Sequence, residues 1–188
     1  MADYKIVMGK FSTQATAVWG ESLYLEKKAF EKLGASIIEA DGSSDETFIE
    51  AAKDADALLI HGGAVNVNRK VIESLEKCKI IALPTVGFDN IDIPAASEKG
   101  IWVTNTPDVF IEEVADHTMT LLLGCWRRII IQDRLVRTGR WMEARPMWNG
   151  YPRLYGTTLG FVAFGNIPRA VSKRVKPFGI HMLSLIHI

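Results

Sequence analysis

The chain has 188 residues, of which 48% are hydrophobic and 23% are charged, a composition that allows one full globular domain and part of another. Its 22 Lys and Arg residues balance 22 Asp and Glu residues, and its two cysteines lack metal-ligand spacing, so we expect no nucleic-acid partner and no metal site. Because the N-terminus is unlike a signal peptide and every apolar run falls short of the ~20 residues of a membrane span, we expect a soluble, cytoplasmic protein without a membrane partner.

Short apolar runs alternate with segments of helical spacing up to residue 105. The predicted strands are Tyr4–Met8, Ser36–Glu39, Ala57–Ile60, Ile80–Leu83 and Ile101–Thr104. The predicted helices are Ser22–Leu33, Asp45–Lys53, Asn68–Lys77 and a short helix that Asp92 caps and that ends at Gly100. This alternation predicts parallel pairing in an open α/β sheet, whose ligands bind beyond the carboxyl ends of the strands.

Two local patterns make finer predictions in this part of the chain. The spacing of Leu23, Phe30 and Leu33 places them on one face of the first helix, and Gly34 follows as its stop. Ser43 and Glu46 form a capping-box pattern, which predicts the start of the second helix.

A long helix is predicted over Ile111–Arg137. Glu112 and Glu113 suit the positive end of its dipole, and Gly139 follows as the stop. A stripe at helical spacing along this helix comprises Val114, Thr118, Leu121, Cys125 and Ile129. We expect the helix to be buried against two neighbours or against a second subunit.

The last part of the chain has the pattern of a strand, a glycine turn, a helix and a second strand. The predicted segments are Thr158–Phe164, Gly165–Pro168, Arg169–Lys176 and Ile180–Ile188. This pattern is the opening β-α-β unit of a dinucleotide-binding domain, in which a glycine turn presents the N–H groups of a helix start to a pyrophosphate.

The glycine turn departs from the usual GxGxxG pattern, because the corresponding stretch is Ala163-Phe-Gly-Asn-Ile-Pro168. Gly165, the glycine that lets the backbone approach phosphate, is present. Ala163 replaces the first glycine and costs little if its φ is negative, and Pro168 replaces the third and suits a first helical turn. The N–H groups of Asn166 and Ile167 remain available. On the pattern alone, an ordinary strand-helix turn is the alternative.

Several blocks of sequence extend these patterns. They are Val86-Gly-Phe-Asp-Asn-Ile-Asp92, Lys99-Gly-Ile-Trp-Val-Thr-Asn-Thr-Pro107, Glu112-Glu-Val-Ala-Asp-His117, and residues 136–141, 154–160 and 176–179. In this order they resemble the D-isomer-specific 2-hydroxyacid dehydrogenase family. The resemblance implies a flavodoxin-like parallel-sheet substrate-binding domain in residues 1–105. It implies an interdomain helix and the start of a Rossmann NAD-binding domain, left incomplete, in residues 106–188.

The resemblance also implies ligands and sites. The cofactor would be NAD or NADP, with NAD favoured, and the substrate a small 2-hydroxy or 2-keto acid. The implied cofactor-binding residues are Val86, Gly165, Asn166 and Ile167. The implied substrate-binding residues are Gly63, Ala64 and Gly87. For each, the structural alternative is a tight turn after a strand, and for Val86 a core residue.

The catalytic groups that the family uses are an arginine, an acidic residue and a histidine, which follow the second Rossmann strand. The resemblance therefore implies that no catalytic residue lies in this chain, and none of the four histidines is assigned as a catalytic base. We expect a C-terminally truncated chain that is inactive alone. The long helix over residues 111–137 would form a homodimer interface.

Two other functions remain open at this stage. One is a corepressor-like module that binds NAD(H) without catalysis, and the other is a truncated paralogue that serves only as a dimer partner.

A further expectation concerns the order of the last segment of the chain. An incomplete Rossmann domain would leave the apolar faces of Phe161, Val162, Phe164 and Ile180 uncovered, so residues 156–188 would be poorly ordered.

Overall fold

The computed structural model describes residues 4–10, 23–61, 63 and 65–185. The chain divides into two compact units, Met1–Pro107 and Asp108–Ile188. Over the described ranges, no helix combines the length and the apolar character needed to cross a bilayer.

The first unit is built on a parallel sheet of five strands. The strands are β1 (Tyr4–Lys10), β2 (Ala35–Asp41), β3 (Ala57–Leu59), β4 (Ile80–Ala82) and β5 (Trp102–Thr104). Their order in the sheet is β2-β1-β3-β4-β5, and every pair is parallel. This order is that of flavodoxin-like sheets, so the predicted fold class of this unit is confirmed.

Helices alternate with these strands. They are α1 (Leu23–Glu31), α2 (Asp45–Ala52), α3 (Arg69–Ser74) and α4 (Ile93–Glu98). The core lies between the sheet and the helices, and its largest fully buried side chains include Phe48 of α2, Leu58 of β3 and Ile72 of α3. Short, almost wholly apolar strands such as β3 and β4 are typical of a sheet that is covered by helices.

The helix ends follow local hydrogen bonding. The side chains of Asn68 and Asp92 accept hydrogen bonds from the backbone N–H groups of Val71 and Ala95, so each caps its helix, as predicted for Asp92. The prediction for α2 was wrong by one residue, because its cap is Ser44, which accepts from the N–H of Thr47. Ser43 instead donates to Asp41 through its N–H and its hydroxyl.

The predicted face of the first helix is also corrected. Helix α1 ends at Glu31, so Leu33 lies in the turn that follows and is 71% exposed. Gly34 does terminate this segment with a positive φ of 72°, in the left-handed region that glycine adopts at little cost. Ser22 lies outside the described residues.

The second unit combines a helical part with a short parallel sheet. Its helices are α5 (Ile111–Trp126), α6 (Ile129–Arg137), α7 (Arg145–Trp148) and α8 (Asn166–Val175), with 3₁₀ turns at Trp141–Ala144 and Lys176–Phe178. Strand β6 (Thr158–Val162) precedes α8 in the sequence and β7 (His181–Leu185) follows it. The two strands pair in parallel. The predicted β-α-β unit is therefore present, although residues 186–188 of its second strand lie outside the described residues.

The long helix predicted over residues 111–137 is two helices. The helical conformation is interrupted at Arg127 and Arg128, and Arg128 adopts a left-handed φ of 51°. The predicted stripe was wrong in its burial, because Val114, Leu121 and Ile129 are all more than 40% exposed. The buried residues of this helix are Ala115 and Met119, each one position after a residue of the predicted stripe. They have the same helical spacing as the stripe, so spacing alone could not identify which face is buried.

Helices α5 and α8 pack together in the second unit. Ala115 and Met119 of α5 are buried with Ala170, Val171 and Val175 of α8. Small side chains on both helices permit this close packing. At the helix surfaces the guanidinium of Arg174 donates to Glu112 at 2.5 Å and to Asp116 at 2.6 Å.

This packing corrects the expectation of uncovered faces on the Rossmann strands. Ile180 is buried, and Phe161 packs against the core that α5 and α8 share. The ring of Phe164 meets that of Phe161 edge-on, with centroids 5.5 Å apart. Val162 is 79% exposed, so the expectation holds for the outward-facing positions only. Whether residues 156–188 are poorly ordered stays a prediction.

Candidate functional site

In the first unit, the loops after β3 and β4 leave the same edge of the sheet, because the two strands are parallel neighbours. Gly63 follows β3 with a positive φ of 77°, and no described atom beyond its chain neighbours lies within 4 Å of the position of a Cβ there. The order of the sheet reverses between β1 and β3, and such a switch point is where α/β sheets bind ligands. Ala64 lies outside the described residues.

The loop after β4 carries Val86 and Gly87 and is held by hydrogen bonds. The Asn105 Nδ2 donates to the backbone oxygen of Val86 at 2.8 Å, and the Thr85 hydroxyl donates to that of Gly87 at 3.0 Å. Val86 is 47% exposed, which excludes the alternative of a core residue. The loop therefore presents an apolar side chain and a glycine backbone at the carboxyl edge of the sheet.

A second asparagine fixes the segment that follows Gly63. The Asn90 Nδ2 donates to the backbone oxygen of Val65 at 2.8 Å. Val67 forms an isolated parallel bridge with Ile91, and its N–H donates to the oxygen of Asn90 at 2.8 Å. No role was predicted for Asn90 from the sequence, although it lies in the turn from Phe88 to Ile91, and asparagine in a turn often hydrogen-bonds to nearby backbone.

His61 lies two residues after the end of β3, two positions before Gly63, and is half-buried. Burial lowers the pKa of His61, and the negative charge of Glu26 opposes part of that shift. The imidazole is therefore mostly neutral near pH 7.

In the second unit, the glycine turn lies at the junction of β6 and α8. Helix α8 begins at Asn166, earlier than the predicted Arg169, so Asn166, Ile167 and Pro168 form its first turn. The N–H groups of a first helical turn have no partner within the helix, and Pro168 has no N–H to leave unpaired. The turn thus brings together three sequence-predicted residues, Gly165, Asn166 and Ile167.

The space around Gly165 is open. Within the described part of the chain, no side chain caps this helix start, and no atom beyond the chain neighbours lies within 4 Å of the position of a Cβ on Gly165. Its φ of −78° is ordinary for any residue. The N–H groups of Asn166 and Ile167, together with the helix dipole, therefore suit an approaching phosphate oxygen, which is the fit that a dinucleotide requires.

Two side-chain contacts beside this turn were not predicted from the sequence, and one of them involves the predicted residue Asn166. The Asn166 Nδ2 donates to Asp108 Oδ1 at 2.8 Å, across 58 positions of sequence. The Arg169 Nε donates to the backbone oxygen of Phe164 at 3.1 Å, and its guanidinium lies over the Phe164 ring. Sequence spacing carries no signal for a pair so distant in the chain, so only the fold could reveal the contact to Asp108.

Alanine at position 163 would fit the turn at little cost only if its φ were negative, and the structure shows that it is positive. Its φ is 71°, in the left-handed region, where a Cβ costs roughly 1–2 kcal/mol. The N–H of Ala163 donates to the oxygen of Leu185 at 2.9 Å, which ties this conformation to β7. The first glycine of the pattern is therefore replaced by a residue that retains the backbone conformation of glycine.

Replacing Ala163 with glycine is expected to stabilise the second unit by about 0.5–1 kcal/mol, because the relief of left-handed strain exceeds the added entropy of the unfolded chain. Gly139→Ala is a matched control of opposite sign, since Gly139 has a φ of 72° and its Cβ position is open among the described residues. Urea unfolding followed by circular dichroism measures both changes. A destabilised Ala163→Gly protein would contradict the strain assigned to this position.

Comparisons with known proteins agree with this geometry. The family described as D-isomer specific 2-hydroxyacid dehydrogenase, catalytic domain, matches residues 22–178. Glyoxylate reductase from Pyrococcus furiosus is 39% identical over 143 residues, which cover 73% of this chain and 42% of the relative. D-3-phosphoglycerate dehydrogenase from Methanocaldococcus jannaschii is 41% identical over 156 residues, which cover 83% of this chain and 29% of the relative.

A solved structure, the TT0316 protein from Thermus thermophilus, superposes with a TM-score of 0.75 at 27% identity. The match covers 98% of this chain and 56% of that structure. The chain thus spans less than half the length of the curated relatives named above. Because the family match covers most of the chain and includes the Gly63 and Val86 loops and the β6-α8 turn, the chain belongs to the D-isomer specific 2-hydroxyacid dehydrogenase family.

Proposed function

We propose that this chain binds a pyridine dinucleotide and forms part of an oxidoreductase that acts on the CH–OH group of a D-2-hydroxy acid. The observation that carries the proposal is the open helix start at Gly165, which lies within the stretch that matches the dehydrogenase family. The identity of 39% to a glyoxylate reductase supports a small 2-keto acid as the substrate. The comparisons give no support to a corepressor-like or non-catalytic module.

Each proposed site residue has a physical role. The N–H groups of Asn166 and Ile167 would bind the pyrophosphate, and the absence of a side chain at Gly165 would let it approach. The exposed Val86 would pack against the nicotinamide ring, which supplies or accepts the hydride when the cofactor is bound. The backbone at Gly63, Ala64 and Gly87 would bind the substrate carboxylate.

The domain roles follow from the same assignment. Residues 1–105 would form the substrate-binding domain, and residues 106–188 would contribute the interdomain helix and the nucleotide-binding turn. We further propose a homodimer that buries the exposed apolar side chains of α5 and α6, such as Leu121 and Ile130. Sedimentation equilibrium tests this directly, and a monomer at all concentrations would contradict it.

Titration with NADH and NADPH tests the binding proposal, with the fluorescence of the five tryptophans as the signal. We expect saturable binding of at least one of the two, with NADH favoured, and no saturable change with nicotinamide alone. Failure of both dinucleotides to bind would contradict the proposal. Oxidation of NADH with glyoxylate or hydroxypyruvate is a separate measurement. Turnover by this chain above a control without protein would overturn the expectation that it is inactive alone.

A further inference from the structure

A carboxylate lies beside the start of α8. Asp108 precedes α5 in the chain, and its Oδ1 accepts a hydrogen bond from the side chain of Asn166, the first residue of α8, at 2.8 Å. Asp108 adopts a φ of 66°, and Ala163 on the other side of the turn adopts 71°. Two non-glycine residues thus hold left-handed backbone next to one helix start, a conformation that costs free energy and persists where other contacts impose it.

The charge of Asp108 opposes the function proposed for the turn. A carboxylate near the positive end of a helix interacts favourably with the dipole. In this position it also repels any other anion that approaches the same N–H groups. Arg169 lies on the same turn, and its guanidinium, whose Nε donates to the backbone oxygen of Phe164, stays positively charged in both the unchanged chain and a variant of Asp108, so a change at Asp108 isolates the effect of the carboxylate. Asn166 and Asp108 are both exposed, so the repulsion acts through a partly aqueous medium.

We propose that Asp108 is a specificity-determining residue that weakens the binding of phosphates at the start of α8, and weakens it most for the most highly charged ligands. The proposal rests on the function proposed above, since it concerns the same turn. A dinucleotide, whose two phosphates carry about two negative charges, would be tolerated. A nucleoside triphosphate, with a larger charge, would be excluded more strongly.

The size of the effect follows from Coulomb's law. For the two charges of a pyrophosphate about 6–8 Å from one carboxylate, at a dielectric constant near that of water and with partial screening by salt, the change in affinity is about 3- to 10-fold. Salt screens such interactions beyond about 10 Å at 0.1 M ionic strength. The effect of Asp108 should therefore shrink as the salt concentration rises.

Asp108→Asn tests the proposal in the full chain, because it removes the charge and keeps an oxygen that accepts from Asn166. Asparagine also tolerates left-handed backbone, so the fold is retained. Asp133→Asn is the matched control, since Asp133 is exposed on α6 and pairs with Arg137 in the same unit. Calorimetric titration with NAD⁺, with inorganic pyrophosphate and with ATP gives the dissociation constants at low and high salt.

We expect Asp108→Asn to bind NAD⁺ and pyrophosphate about 3- to 10-fold more tightly than the unchanged chain, with a larger gain for ATP and a smaller one at high salt. Asp133→Asn should bind as the unchanged chain does. If the unchanged chain binds NAD⁺ and Asp108→Asn binds no more tightly, the inference is overturned and the proposed function stands. If neither protein binds NAD⁺ or pyrophosphate, both are overturned.

Discussion

Replacing Gly165 with valine is expected to weaken dinucleotide binding by about 100-fold while the protein stays folded. The valine side chain would occupy the open space in front of the N–H groups of Asn166 and Ile167. Loss of two hydrogen bonds to a charged group, each contributing roughly 1.5–3 kcal/mol, corresponds to a change of about 100-fold at the least. The backbone at Gly165 has an ordinary φ, and a Cβ there would lie more than 4 Å from every described atom beyond its chain neighbours, so we expect the protein to accept a larger side chain.

Folding and binding are separated by two measurements on this variant. The free energy of unfolding should fall by at most about 1 kcal/mol, since valine is a poorer helix cap than glycine. Gly165→Ala, with a smaller side chain, should lie between the unchanged chain and Gly165→Val in affinity. Calorimetry gives the affinities, and urea unfolding gives the stabilities. Unchanged NAD⁺ affinity in a folded Gly165→Val protein would remove the turn from the cofactor site.

The second large effect is expected in the core of the first unit. Phe48 of α2 is fully buried between that helix and the sheet, so Phe48→Ala removes a ring and leaves a cavity. Such substitutions cost about 3–5 kcal/mol, which is a large part of the roughly 5–15 kcal/mol that stabilises a typical domain. We expect the first unit to unfold at markedly lower urea concentration, or to be unfolded without urea at about 37 °C.

Leu33→Ala is the matched control for this prediction. Both side chains are large and apolar, but Leu33 is 71% exposed in the turn after α1. Its replacement should change the free energy of unfolding by less than about 0.5 kcal/mol. Equal destabilisation by the two substitutions would mean that the buried and exposed faces have been assigned incorrectly.

The alternation of strands and helices could be predicted because each strand of the first sheet is a short apolar run between polar segments. Some of the residues that begin helices could also be predicted. One is Asp92, whose carboxylate accepts a hydrogen bond from the backbone N–H of Ala95. The predicted cap at Ser43 was wrong because Ser44, next to it, has equal chemistry. Which of two neighbouring serines caps the helix depends on where the turn before it closes, and here Asp41 binds Ser43.

The candidate site was predictable only in part. Gly165 and the open helix start follow from a local pattern, and the structure describes them at the junction of β6 and α8. The φ of Ala163 and the contact between Asp108 and Asn166 were not predictable, because each depends on residues far along the chain. The burial of Ala115 rather than Val114 also depends on distant residues, because α5 has two apolar rows with the same spacing. The row that includes Ala115 is buried because it packs against α8.

The central claim is that the turn at Gly165 binds a pyridine dinucleotide. Amide NMR spectra of the full chain, recorded during titration with NAD⁺, test it most directly, because each backbone N–H is observed separately. We predict saturable shifts that are largest at Gly165, Asn166 and Ile167. An absence of saturable shifts, or shifts that leave these three amides unchanged, would contradict the account.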